Sequence, residues 1–271
     1  MIDQELQAQL RERFNPDVSK LRDMQLKILE IMDAVDVICR RNNIPYWLAS
    51  GTLIGAVRHG GFIPWDDDLD IEILHSDKKR FIEACQRELP EKYKLQCHAT
   101  DDAYCLNILK IRDTESEMHE VRRWNGNEYP VKYKYNGYFI DIFTVEKSAR
   151  PLIWVSRVPI RILSIAQFQW KANRIFLSII YYLCEGVYAI LRLLAMLNPF
   201  GKYYYHSFGS WFMSRRVKSE MVPPVEIEFE GKKYFAPNNY DAYLKRIYGD
   251  YMQLPESAKQ SPSHNTELKK I

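Results

Sequence analysis

The chain has 271 residues, 38 basic and 35 acidic, and 46% of it is hydrophobic; that supports one large domain or two modest ones and excludes the broad basic surface that duplex nucleic acid would select. Tyr and Trp are abundant at 18 and 6 while Gly and Pro number only 11 and 13, which argues against disorder outside the termini, the polar tail from Ser257 to Ile271 being the expected exception. Five cysteines (Cys39, Cys85, Cys97, Cys105, Cys184) without a C-x-x-C pair disfavour a disulfide scaffold or zinc site, and the N-terminus lacks a signal pattern, so a reducing, cytoplasmic setting is expected.

Three stretches follow from patterning, residues 1–150, 151–222 and 223–271. In the first, Leu21, Met24, Ile28, Ile31, Val35 and Ile38 recur at helical spacing and predict an amphipathic helix ending near Arg40-Arg41-Asn42-Asn43. Residues 46–49 read as a buried strand, Ser50-Gly51-Thr52 as a turn and residues 53–59 as a short helix. After a Gly-rich loop, Asp68, Asp70 and Glu72 alternate with Leu69, Ile71 and Ile73, the period of a half-buried strand. Ser76 is placed as the N-cap of a helix to residue 89, and strands are expected at 93–98, 105–112 and 138–145. The fold class is therefore mixed α/β (α+β). Residues 151–221 read as helical and very apolar, interrupted by Glu185 and Arg192 and preceded by Arg157, Arg161, Lys171 and Arg174. Such a pair of helices either packs internally or lies at a membrane surface rather than spanning it. A hairpin around Glu230-Gly231 and a helix over 239–248 close the pattern.

On one strand, Asp68 and Asp70 would project to the same side, roughly 7 Å apart, where a hard divalent cation such as magnesium or manganese would relieve their repulsion. The alternative is a solvated acidic edge. Asp141 is a lone charge in the apolar run Phe139-Ile140-Asp141-Ile142-Phe143; on a neighbouring strand it would complete a three-carboxylate template for phosphoryl transfer, and on an exposed edge it would not. Asp66 is a further candidate ligand. The backbone N–H groups of Ser50, Gly51 and Thr52 at a helix start, with Arg58, Lys110 and Arg112 as cations, are the candidate phosphate-binding set.

Residues Tyr46-Trp47-Leu48-Ala49-Ser50-Gly51-Thr52-Leu53-Ile54-Gly55-Ala56-Val57-Arg58-His59 and Gly61-Phe62-Ile63-Pro64-Trp65-Asp66-Asp67-Asp68-Leu69-Asp70 resemble the signature of the LicD/fukutin family. Lys110-Ile111-Arg112-Asp113, Phe139 to Phe143 and Tyr248-Gly249-Asp250-Tyr251-Met252 are similar to its later blocks, whereas nothing in residues 151–221 matches. The resemblance implies a nucleotidyltransferase-like mixed sheet, with Gly51-Thr52, Asp68/Asp70 and Asp141 in its functional places. It also implies transfer of a phosphorylated alcohol, phosphocholine or a polyol phosphate, from a CDP-activated donor to a glycan hydroxyl with release of CMP. The glycan acceptor is expected to be a cell-surface polysaccharide, in some cases lipid-linked, and no nucleic acid partner is expected. Two rivals stand beside this reading: a nucleotidyltransferase that attaches the nucleotide itself, and a non-catalytic, membrane-associated calcium-binding protein. Tyr46, Trp47, Trp65 and Trp124 could form a choline cage or be ordinary core residues.

Overall fold

The computed structural model describes residues 3–118, 120–130, 133–198 and 201–256, so the polar tail from Ser257 lies outside the described residues. Helices α1 (Gln4–Phe14) and α2 (Lys20–Arg41) come first. Ser19 caps α2 by accepting a hydrogen bond from the Arg22 backbone N–H (3.1 Å), and the apolar stripe Met24, Ile28, Ile31, Val35 and Ile38 is buried, as its spacing predicts.

Next come β1 (Tyr46–Leu48), α3 (Ser50–His59), β2 (Asp70–Leu74), α4 (Lys78–Glu88), β3 (Tyr93–Gln96) and β4 (Leu109–Asp113). A small separate hairpin, β5 (Val121–Trp124) and β6 (Asn127–Pro130), precedes the long strand β7 (Phe139–Lys147). The helical hairpin α5 (Arg150–Phe168) and α6 (Arg174–Met196) leads to β8 (Tyr203–His206), β9 (Arg216–Val217) and α7 (Lys218–Met221). The chain then forms the hairpin β10 (Val225–Phe229) and β11 (Lys232–Ala236), and ends its described part after α8 (Tyr240–Tyr248).

The main sheet runs β1-β2-β7-β4-β3 and is mixed: β2 and β7 are parallel, and the other pairs are antiparallel. Strand β7 is long enough to change partners along one edge. Its residues 139–142 pair with β4, and 145–147 pair with β8, to which β9 is joined. Phe143 and Thr144 fall between the two partners, so that side of β7 lacks a strand partner where a cavity opens.

Four expectations are corrected. Helical structure in the 151–221 stretch extends from α5 and α6 only to Met196 before the short α7, and β8 and β9 between them join the main sheet. The acidic strand starts at Asp70, which leaves Asp68 on the preceding loop. Strand β1 turns into α3 at Ser50, so its pairing with β2 reaches no further than Leu48↔Ile71 and the bond from Ala49 N–H to Asp70 C=O (2.9 Å). Ser76 lies in a 3₁₀ turn, His75–Asp77, and Asp77 occupies the N-cap position of α4, with its carboxylate bonded to Arg80 (2.7 Å). The strand expected at 105–112 begins only at Leu109.

Candidate active site

Strand β2 and strand β7 set the site. Their parallel register places Asp70 directly beside Asp141, on adjacent strands whose spacing is about 4.8 Å. Both are buried, and with the half-buried Asp68 they line one cavity of about 440 Å³. The Asp70 backbone N–H donates to Thr52 Oγ1 (2.8 Å), and the Asp141 N–H donates to Leu69 C=O (2.9 Å), so the strand ends bearing these carboxylates are fixed from both sides. The exposed-edge alternative for Asp141 is thereby removed.

Antiparallel pairing of β4 with β7 sets Lys110 opposite Asp141, and Lys110 Nζ stands 2.8 Å from Asp141 Oδ1 with a side chain only 5% exposed. Burial lowers the pKa of this ammonium, and the Asp141 carboxylate acts against that. Lys110 is thus a buried cation at the cavity wall. Glu120 and Arg122, from the segment after β4, also line the cavity.

Helix α3 begins at Ser50 rather than after a turn. No side chain caps its first turn, and Ser50, which lines the cavity, takes a positive φ of 48°. Thr52 supports β2 through the bond described. Gly51 lies against Asp66, where a Cβ would come within 2.6 Å of Asp66 Oδ2. Asp66 is half-buried, outside the cavity lining, and hydrogen-bonded to Asp68. Its burial and the carboxylates of Asp68, Asp70 and Asp67 push its pKa well above the usual range.

Arg58 and Arg112 are not brought to the cavity. Arg58 is buried and donates to Tyr251 C=O (2.9 Å) and Gln253 C=O (3.1 Å), tying α3 to the C-terminal segment. Arg112 shares Lys110's face of β4 but sits one pair further along it. There it is fully buried, donating to Gln96 Oε1 (2.8 Å), Gly137 C=O (2.9 Å) and Glu120 Oε2 (2.6 Å). Tyr46 and Trp47 are wholly buried in the core and Trp65 nearly so, and Trp124 stacks near Phe168 and Trp211 outside the cavity lining. The aromatic rings that do line the cavity are Phe143, Trp211, Phe212 and Tyr248.

His206 and Arg216, from β8 and β9, complete the wall and meet a carboxylate that the alternation of β2 makes visible, Glu72. Glu72 is fully buried and accepts from Trp47 Nε1 (3.0 Å), Arg216 Nε (2.9 Å) and the Tyr243 hydroxyl (2.9 Å). Burial alone would raise its pKa, but Arg216 and His206 outweigh it and hold this carboxyl well below the ordinary range. Burial and the adjacent Arg216 guanidinium push His206 down to about 4, so its ring is neutral at physiological pH. His206 Nε2 lies 2.8 Å from Glu72 Oε1 and 2.6 Å from Arg216 Nη2, and it donates to the one or accepts from the other according to tautomer. Neither residue belongs to a motif visible in the sequence; the length of β7 and the apolar–aromatic run before His206 are the only local signs.

The donor set at the cavity consists of carboxylate oxygens, which suits a hard divalent cation better than a soft one. Among the described residues no three Asp, Glu, His or Cys side chains already surround a common point, and Lys110 is the counter-charge that Asp141 has in place.

Residues 43–176 match the family profile described as LicD/FKTN/FKRP, nucleotidyltransferase domain. That span holds Asp68, Asp70, Asp141, Glu120 and Lys110 but not His206 or Arg216. The lipopolysaccharide cholinephosphotransferase LicD of Haemophilus influenzae is 30% identical over 267 residues, covering 91% of this chain and 97% of that protein. An uncharacterised protein of Rickettsia prowazekii is 34% identical over 118 residues, 41% of this chain and 43% of its own. The human ribitol 5-phosphate transferase FKRP is 37% identical over 68 residues, 24% of this chain and 12% of that protein. With near-full-length similarity to one member and the carboxylate strands in register, the chain belongs to the LicD/FKTN/FKRP nucleotidyltransferase-domain family.

Proposed function

We propose that this transferase of substituted phosphate groups moves phosphocholine, or a polyol phosphate such as ribitol phosphate, from a CDP-activated donor to a hydroxyl of a cell-surface glycan. The observation that carries the reading is the pairing of Asp70 with Asp141 on parallel strands, facing one cavity with Asp68 and Lys110. The activities for which the Haemophilus and human relatives are named support the two donor alcohols.

Asp68, Asp70 and Asp141 would hold magnesium or manganese, whose contribution when bound is to neutralise the diphosphate charge. The chain's own groups then divide the remaining work. Lys110 and Arg122 place positive charge at the wall, Ser50 presents the uncapped start of α3, and each favours phosphate oxygens. The acceptor hydroxyl attacks the alcohol-bearing phosphorus in line, the P–O bond to CMP breaks, and the hydroxyl proton passes to a cavity carboxylate. Phe143, Trp211 and Phe212 line the cavity, and an aromatic lining favours the quaternary ammonium of choline over an uncharged polyol. The five cysteines are all free and buried, which supports the proposal of a cytoplasmic, reducing setting.

The test is a donor screen. Purified protein with magnesium and a glycan acceptor should release CMP from CDP-choline faster than from CDP-ribitol or CDP-glycerol. Equal rates for all three would remove the aromatic wall from specificity, and no metal-dependent release from any would remove the reaction.

A further inference from the structure

Helix α6 carries two apolar stripes. One, with Leu177, Ile180, Cys184, Tyr188, Leu191 and Ala195, is buried against α5 and the catalytic fold. The opposite stripe faces outward at the same helical spacing: Ile175 is 77% exposed, Ile179 52%, Leu183 66% and Leu193 62%. On α5, Trp154, Val158 and Ile162 continue this outer surface, and Trp170 lies in the turn between the helices, 62% exposed. A helix apolar on all sides is otherwise found inside a core or in lipid, and single exposed apolar residues are ordinary whereas a continuous face of them is not.

We infer that the outer face of the α5–α6 hairpin docks on an anionic lipid bilayer, lying in its surface layer. Charge complementarity selects this occupant. From Arg150 to Met196 the hairpin carries six basic residues (Arg150, Arg157, Arg161, Lys171, Arg174, Arg192) and one acidic, Glu185; Arg192 is taken up by Glu146 on the inner side, which leaves five. Arg161 and Lys171 are exposed, Arg174 is exposed but paired with Asp102 (3.1 Å), and Trp154 and Trp170 beside them are of the type that settles at the headgroup level. A second copy of the chain meeting this face about a two-fold axis would set the same basic residues against each other, which disfavours self-association.

By length and composition α6 could cross a membrane. Its inner stripe prevents that. Arg192 Nε is paired with Glu146 Oε2 of β7 at 2.8 Å, and Tyr188 stacks on Phe208 with ring centroids 6.5 Å apart, so one side of the helix is committed to the catalytic fold and cannot meet lipid. Docking also orients the cavity. Ile160 of α5, Trp211 and Phe212 line it, and Arg157 Nη2 bonds the Trp211 carbonyl (3.1 Å), so its aromatic rim joins the apolar face. A substrate anchored in the same lipid layer would enter from that side. The docking itself does not depend on which phosphate is transferred.

Vesicle flotation tests this without an activity assay. The intact protein should float with phosphatidylglycerol-containing vesicles at low salt, and less with phosphatidylcholine alone. Ile175→Glu, Ile179→Glu and Leu183→Glu combined should lower the partition coefficient more than about tenfold, with thermal unfolding unchanged because all three side chains are exposed. Arg161→Gln and Lys171→Gln, which leave the apolar stripe intact, should each lower it about fivefold. Recovery of the intact protein only in the soluble fraction would overturn docking. So would equal flotation of the triple variant, or a dimer that the triple variant converts to monomer while neither binds vesicles.

Discussion

Asp70→Asn and Asp141→Asn should each lower turnover by about 10²–10³-fold, a loss typical when one preorganised charge is removed from a phosphoryl-transfer site. Asp68→Asn should have an effect of the same kind. Each change keeps the side chain's shape and removes its charge, so β2, β7 and their hydrogen bonds remain. Asp141→Asn has a second consequence, because it also takes away the partner of Lys110. That ammonium is 5% exposed and would be left with less compensation in a buried place. Turnover measured at saturating donor and metal, beside calorimetric metal binding and thermal unfolding, separates these effects. Weakened metal binding with an intact fold is the expected pattern, and a variant with near-normal turnover would remove that residue from the site.

Glu72→Gln should destabilise the fold by about 3–5 kcal/mol, the usual consequence of removing one partner from a buried ion pair. Arg216 has a side chain 3% exposed and Glu72 is its only ion-pair partner among the described residues, so the substitution leaves a guanidinium charge without compensation. The amide also cannot accept the full set of bonds from Trp47, Arg216 and Tyr243, which join β1, β9 and α8 to the centre of the sheet. The pH dependence has a definite sign. The Glu72 carboxyl is held below its ordinary value of 4.5, so its contribution is present above that pH and is lost only in stronger acid, as pH falls through the lowered value. Urea unfolding at neutral pH gives the number; a loss under about 1 kcal/mol would mean that the network contributes far less than a buried pair normally does.

The parts of the fold legible in sequence were those with a strong local period. The stripe on α2 and the hairpin β10–β11 with its Glu230-Gly231 turn are where spacing and turn chemistry place them. Asp141 was legible for a physical reason: a charge within an apolar strand demands a partner, and the structure supplies Lys110. Lys110 and Arg112 looked alike because alternation fixes only the face of a strand. What separates them is long-range, since Arg112 is claimed by Gln96, Gly137 and Glu120. His206, Trp211 and Arg216 lay beyond reach because they follow a long helical hairpin and join the site through pairing of β8 with the far end of β7, which no local pattern encodes. The limit of Asp68 has the same origin. Its spacing from Asp70 fits a strand, but the strand's partner turns away at Ser50.

The direction of transfer is the centre of the account, and labelling the two phosphates of CDP-choline separately measures it. After reaction with magnesium and a glycan acceptor, the label on the choline-side phosphate should appear on the glycan and the label on the cytidine-side phosphate in free CMP. Recovery of the cytidine-side label on the glycan, with phosphocholine released, would show a nucleotidyltransferase instead and contradict the account.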